Sequence, residues 1–168
     1  WFSRDPLLVS PKDLARRGLL TDAELRIATS GVDTAPWSEP DAARRRWSWV
    51  FEHAWRRRAE TGDAPTAFAR AHADWIEPDA AADALRDLHG PAPEAWPATL
   101  RDLFDHDGAP RAATWAPLTR TFAERIERHA FAQWLVADQR FAVRRRLQDI
   151  GLSLWGDLQI GASPTDAW

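Results

Sequence analysis

Cysteine is absent from the 168 residues, which excludes disulfides, thiol nucleophiles and cysteine-ligated metals. Methionine is absent too, and the chain opens at Trp1 and closes at Trp168, directly after a stretch that reads as a strand. Both ends therefore look like cuts through a longer protein. No signal peptide can be read, and the cytoplasm is the expected location. No apolar run approaches the ~20 residues of a membrane helix; candidates such as Phe131 to Val136 are short and flanked by charge. A formal net charge of -3 supplies no field to hold nucleic acid. Neither a membrane nor a nucleic acid is an expected partner. There is no glycine-rich phosphate loop and no serine set between glycines as in a nucleophile elbow. His53, His72, His89, His106 and His129 include no pair at the i, i+4 spacing of a helical zinc site. No cofactor and no metal is expected.

Tyrosine is missing as well, so 11 tryptophans carry most of the aromatic load beside 7 phenylalanines. Trp could build a sugar-stacking platform, but Trp47, Trp55 and Trp134 fall at helical spacing, which favours core packing. Lys12 is the single lysine among 22 basic residues, a bias of coding composition more than a role for each arginine. The triplets Arg44 to Arg46 and Arg56 to Arg58 sit mostly off the apolar stripe and read as a solvated helix face.

With 45% hydrophobic and 28% charged residues, the chain matches an ordinary globular domain. At this length it buries roughly 68–70% of the surface of its unfolded form. Asp5 to Ser10 is a short extended run. Ser10 caps a helix that Pro11 opens and Gly18 closes. Thr21 and Glu24 have capping-box spacing for a second helix. After a loop from Ser30 to Pro40, a long helix runs to about Thr61 and stops at Gly62. Pro65 to Trp75 and Pro78 to His89 read as two more helices, and a short one ends near Asp105. Pro117 opens the strongest helix, Leu118 to Asp149, with His129 on its inner face as a core histidine.

Leu152 to Ile160 alternates enough for a strand, so the expected fold is mainly α with one clear C-terminal strand. Two parts are expected: 1–116, an extended opening segment with a helical subdomain, and 117–168, the long helix, the strand and the following loop. Asp157 falls near the carboxyl end of that strand, followed by Gly161, Ser163, Pro164 and Asp166. Such an Asp either holds a ligand or serves the strand end structurally; the residues alone leave both open.

Certain segments resemble the 4-alpha-glucanotransferases (amylomaltases or disproportionating enzymes) of glycoside hydrolase family 77. They are Phe131-Ala132-Gln133-Trp134-Leu135 with Gln139, then Gly151-Leu152-Ser153-Leu154-Trp155-Gly156-Asp157. Upstream, Asp5-Pro6-Leu7-Leu8-Val9-Ser10 and Gly18-Leu19-Leu20 are similar to the family's opening pattern, with Asp5 in place of Asn. Trp75-Ile76, Ala84-Leu85, Trp96-Pro97 and Leu100-Arg101 follow in order; the Tyr usual after the family's Trp-Leu is missing, with Asp79 near its place. The resemblance implies a fragment of a (β/α)8 (TIM) barrel that includes its helical insertion. It implies transfer of α-1,4-glucan segments between maltodextrins with retention, and α-1,4-glucan as the substrate partner. The family's catalytic pair would lie beyond Trp168, so no catalytic residue is assigned. Asp157, Ser163 and Trp168 are the substrate-binding residues it implies. Two rivals stand beside it: a non-enzymatic Trp-rich helical interaction module, and an α-glucan hydrolase of a related barrel family.

Overall fold

A computed structural model describes residues 5–30, 40–90, 92–101 and 112–154. Among them the helices are α1 (Pro11–Arg16), α2 (Asp22–Thr29), α3 (Pro40–Arg56), α4 (Ala64–Ala71), α5 (Ala73–His89), α6 (Ala98–Arg101), α7 (Ala112–Thr121) and α8 (Ala123–Asp149). They divide into two compact units. The first holds the described residues from Asp5 to Phe68 together with Phe131–Leu154, and the second those from Ala69 to Ala130. The division falls inside α4 and α8.

Local chemistry explains most of the helix ends. Thr21 and Glu24 form the expected capping box: the Thr21 side chain accepts from the Glu24 N–H, and the Glu24 carboxylate from the Thr21 N–H. Gly18 ends α1 at φ +77°, donating to the Ala15 carbonyl, while the Leu19 N–H reaches back to Leu14. That is the paired closure of a Schellman motif, and its apolar contact joins Leu14 and Leu19, both fully buried. Gly151 repeats the same pattern after α8, with Leu152 bonding back to Leu147. Ser10 occupies the N-cap of α1, but its side chain makes no capping bond.

Three boundaries differ from expectation. The helix expected to reach Thr61 ends at Arg56 and gives way to a 3₁₀ turn, Arg58–Thr61. Pro78 lies inside α5 and is buried; the break expected there falls at His72. Pro117 likewise lies inside α7, and the long helix starts at Ala123. The helical bonds from Phe122 to Leu118 and from Ile126 to Phe122 persist across that junction. Around Pro78 burial of the neighbouring residues offsets the single N–H that a proline removes, whereas Pro117 is exposed.

The expected C-terminal strand and the barrel fragment are overturned, because among the described residues every regular element is helical. Leu152 to Leu154 is irregular and exposed, and the rest of the expected strand, from Trp155 to Ile160, lies outside the described residues. A buried strand draws its hydrogen bonds from neighbouring strands. The Leu152 N–H is instead spent on closing α8.

The first unit packs large side chains. Leu14, Leu19, Leu20, Val50, Trp55, Phe131, Trp134 and Leu135 form its core, with Trp47 and Phe51 partly buried against it. Phe131 lies between rings, 5.5 Å from Trp55, 5.8 Å from Trp134 and 5.9 Å from Phe51. The core reading of Trp47, Trp55 and Trp134 holds. In the second unit, Ala81, Leu85, Trp96 and Leu118 cluster with Leu100, Trp115 and Phe122. The Trp96 indole N–H donates to the Gly90 carbonyl at 2.9 Å, which ties the turn after α5 to that core.

Candidate functional site

Within the second unit a cleft of about 470 Å³ opens between α5 and the first turns of α8. Ala80 and Ala84 line it alongside charged side chains from both helices. Asp83 and Asp87 stand at i, i+4 on α5, and Arg125 and His129 at i, i+4 on α8. The pairs meet antiparallel, with Arg125 Nη1 2.8 Å from Asp87 Oδ2 and His129 Nδ1 3.4 Å from Asp83 Oδ2. Asp83 also accepts from Arg86 Nη2 at 2.6 Å, and Arg128 faces Glu124 at 3.9 Å.

The charges of the cleft thus engage one another. Asp83, Asp87 and Glu124 have side chains 56%, 70% and 77% exposed, and each faces a cation. A carboxyl group that is to donate a proton near neutral pH needs an apolar surround, which these lack. Among the described residues, no Ser, Thr, Phe or Trp side chain lines the cleft beside the Asp83–His129 pair. The arrangement joins two helices and offers hydrogen-bonding groups at their surface. Among the described residues, no group of three or more His, Asp or Glu side chains could hold a metal ion.

His129 is half-buried, as expected for an inner-face histidine, and its partner is Asp83. The ladder itself was not foreseen. Its signal lay in the two i, i+4 spacings, but nothing local says which two helices face each other.

In the first unit, Glu24 collects a second set of polar contacts. Its side chain is 15% exposed, and its carboxylate accepts from the Thr21 N–H at 2.7 Å, from the Thr21 hydroxyl at 2.9 Å and from Arg57 at 3.0 Å. Burial pushes this carboxyl up. The Thr21 backbone bond, the Arg57 bond and charge, and the Thr21 hydroxyl outweigh it and hold the group at about 2. His53 Nε2 lies 3.7 Å from the same carboxylate, and its Nδ1 is 2.8 Å from the Trp49 carbonyl. Of the two triplets expected on a solvated face, Arg57 is therefore structural and Arg46 is half-buried and donates to the Ser30 carbonyl at 3.1 Å; Arg44, Arg45, Arg56 and Arg58 are exposed as expected. Arg58 stacks over the Trp55 ring at 3.9 Å.

The third set brings together residues far apart in the sequence. The Ser10 N–H donates to Gln139 Oε1 at 2.7 Å, and Gln139 Nε2 donates to the Ser10 carbonyl at 3.5 Å. Next to it, Arg17 bridges Asp13 and Asp138. Burial lowers the Arg17 guanidinium's proton affinity, but Asp138 and Asp13 raise it further, so its pKa ends above the usual arginine value. Two stretches that carry the family resemblance, Asp5 to Ser10 and the residues around Gln139, thus meet at one place. Asp157, Ser163 and Trp168, the substrate-binding residues inferred from the sequence, lie outside the described residues.

Comparison with known proteins places these observations. The model of glycoside hydrolase family 77, described as 4-alpha-glucanotransferase, matches residues 1–168, and the chain belongs to that family. A 4-alpha-glucanotransferase from Thermus thermophilus is 30% identical over 163 residues, which is 95% of this chain and 30% of the relative. The chain therefore spans about 30% of the length of that curated relative. No solved structure matches it. Among the described residues, no helix is long and apolar enough to cross a membrane.

Proposed function

We propose that this chain is part of a longer 4-alpha-glucanotransferase that moves α-1,4-glucan segments between maltodextrins in the cytoplasm. The family match from residue 1 to residue 168 carries the reading. Retaining transfer takes a nucleophilic carboxylate and a carboxylic acid on either side of the scissile bond, about 5–5.5 Å apart. The carboxylates of the cleft are exposed and face cations, which supports assigning the catalytic pair to the remainder of the enzyme. Asp157, with Ser163 and Trp168 after it, is assigned to glucan contact. Its carboxylate accepts hydrogen bonds from sugar hydroxyls and forms no covalent bond.

The test compares the 168-residue chain with the longer polypeptide encoded by the same gene, each given maltotriose. Glucose and longer maltodextrins are expected from the longer polypeptide only. Activity of the 168-residue chain would place the catalytic pair inside it, and an inactive longer polypeptide would end the transferase reading. In the longer polypeptide, Asp157→Asn is expected to lower transfer roughly 10- to 100-fold with the fold intact, the loss of one charge-assisted hydrogen bond.

A further inference from the structure

Both ends of α1 are tied to one place on α8. Before α1, the N–H and the carbonyl of Ser10 are both taken by the Gln139 amide, at 2.7 Å and 3.5 Å. After α1, Arg17 reaches Asp138, the residue next to Gln139. An amide suits this place because it carries a donor and an acceptor in one plane. It can serve both backbone groups of one residue, as a neighbouring strand would. Ser10 is extended, at φ -80° and ψ 117°, and so is Val9 before it, at φ -73° and ψ 130°, with its side chain in the core. Among the described residues, Asp138 and Gln139 are the last of α8 with a hydrogen bond or ion pair to another element. From Arg140 to Arg146 the helix is exposed.

Ser10 is exposed, and an exposed N–H and carbonyl lose little by turning to water. The clamp therefore adds less to stability than to position: it fixes the register of the opening segment, Asp5 to Ser10, along α8. Arg17 alone does not fix it, because that guanidinium is shared between Asp13 and Asp138. At its far end α8 closes at Gly151, with the Leu152 N–H on the Leu147 carbonyl, so the chain leaves the helix in a set direction and runs on to Asp157. We propose that Gln139 is a positioning residue for glucan transfer. It acts through α8 and not on the sugar: it holds the helix, and with it the chain that continues to Asp157, in register with the opening segment. The proposal rests on the reading of Asp157 as a glucan contact in a longer glucanotransferase. A displacement of about 1 Å far from the chemistry can lower a rate on the order of 100-fold, so a register held by one amide is enough to show in turnover.

The test is transfer from maltotriose by the longer polypeptide, read as kcat and KM beside the thermal midpoint. Gln139→Met keeps the length of the side chain and removes both bonds. It should lower kcat about tenfold, leave KM within about twofold and move the midpoint by less than about 2 °C. Gln139→Glu keeps the acceptor for the Ser10 N–H and should lose only about threefold. Ser10→Pro deletes the donor from the other side. The backbone angles of Ser10 suit proline and its side chain makes no capping bond, so the N–H is what is lost. Ser10→Pro should match Gln139→Met, and the two together should be no slower than either. In an Asp157→Asn background, Gln139→Met should lower kcat by less than about twofold, because both changes act at the same contact. Losses from Gln139→Met and Asp157→Asn that simply multiply overturn the proposal. So does a kcat that falls only as the midpoint falls, which is what a merely structural amide would give. A fully active Gln139→Met overturns it while maltodextrin transfer still stands. An inactive parent polypeptide, or a fully active Asp157→Asn, ends the reading beneath it and the proposal too.

Discussion

The two units solve the same packing problem with different side chains. In the first, α3 and the middle of α8 supply Val50, Trp55, Phe131, Trp134 and Leu135, and three rings meet around Phe131. In the second, α5 buries Ile76 and Leu85 beside Ala80, Ala81, Ala82 and Ala84. A fully buried Leu, Val or Phe contributes about 1.5–3 kcal/mol through its apolar surface, and an alanine methyl far less. The first unit therefore takes more of its stability from area removed from water. The second takes less from area, and its α5 and α8 are also bridged by the exposed Arg125–Asp87 ion pair, which is worth little. Two helical units of one chain thus need not be equally stable, and charge at a helix–helix groove is no measure of strength.

Substitutions can break that contrast. The largest effect is expected from Phe131→Ala, which removes the centre of the aromatic cluster and should cost about 3–5 kcal/mol. Urea unfolding followed by near-ultraviolet circular dichroism reads it; a loss below about 1 kcal/mol would mean that the rings are not the first unit's anchor. Leu85→Ala, its counterpart in the second unit, should cost about 2–5 kcal/mol, toward the lower end if the alanine-rich surround closes over the gap.

The Glu24 set comes next and is read by pH. Its folded carboxyl lies at about 2 against an ordinary 4.5, so the unfolded chain takes up the proton first as the solution is acidified. The stabilisation is complete above about pH 4.5 and is lost as pH falls from there toward 2. At most it amounts to about 3 kcal/mol. Glu24→Gln should therefore be less stable than the parent chain at pH 7, with the gap closing by about pH 2. A gap that persists at low pH would show that the loss is one of shape and not of charge.

Trp96→Phe removes the indole donor to the Gly90 carbonyl and should cost about 1 kcal/mol, with faster exchange of the backbone amides near Gly90. The smallest effect is expected from Asp87→Asn. It weakens an ion pair whose side chains are 70% and 46% exposed, and it should shift stability by less than about 0.5 kcal/mol. A larger shift would make the ladder a structural element of the second unit and narrow the contrast between the units.

Much of the helical skeleton was legible in the sequence because its signals act over three or four residues. The Thr21–Glu24 box, the stops at Gly18 and Gly90, and the tryptophan stripe of α3 all act at that range. The two prolines misled because a proline near a helix start is tolerated a few residues further in, and Pro78 is buried there as well. Pro78 and Pro117 read as helix starts, yet both lie inside helices. The strand was misread for a related reason: alternation from Leu152 onward marks a side-chain pattern, and a pattern supplies no hydrogen-bonding neighbour.

By itself the sequence determined the family, most of the helices, and the packing of Trp47, Trp55 and Trp134 at the core. Each of these is written in residue types at short spacing or in the order of motifs along the chain. The tertiary structure decided what lies far apart in the chain and close in space. It joined Ser10 to Gln139, Arg17 to Asp138, Arg57 to Glu24 and Asp83 to His129, and it left Val143 and Ile150 uncovered. A side chain's spacing fixes the face of the helix on which it stands. What meets that face depends on how whole helices pack, and that is settled by the shapes and volumes of many residues together.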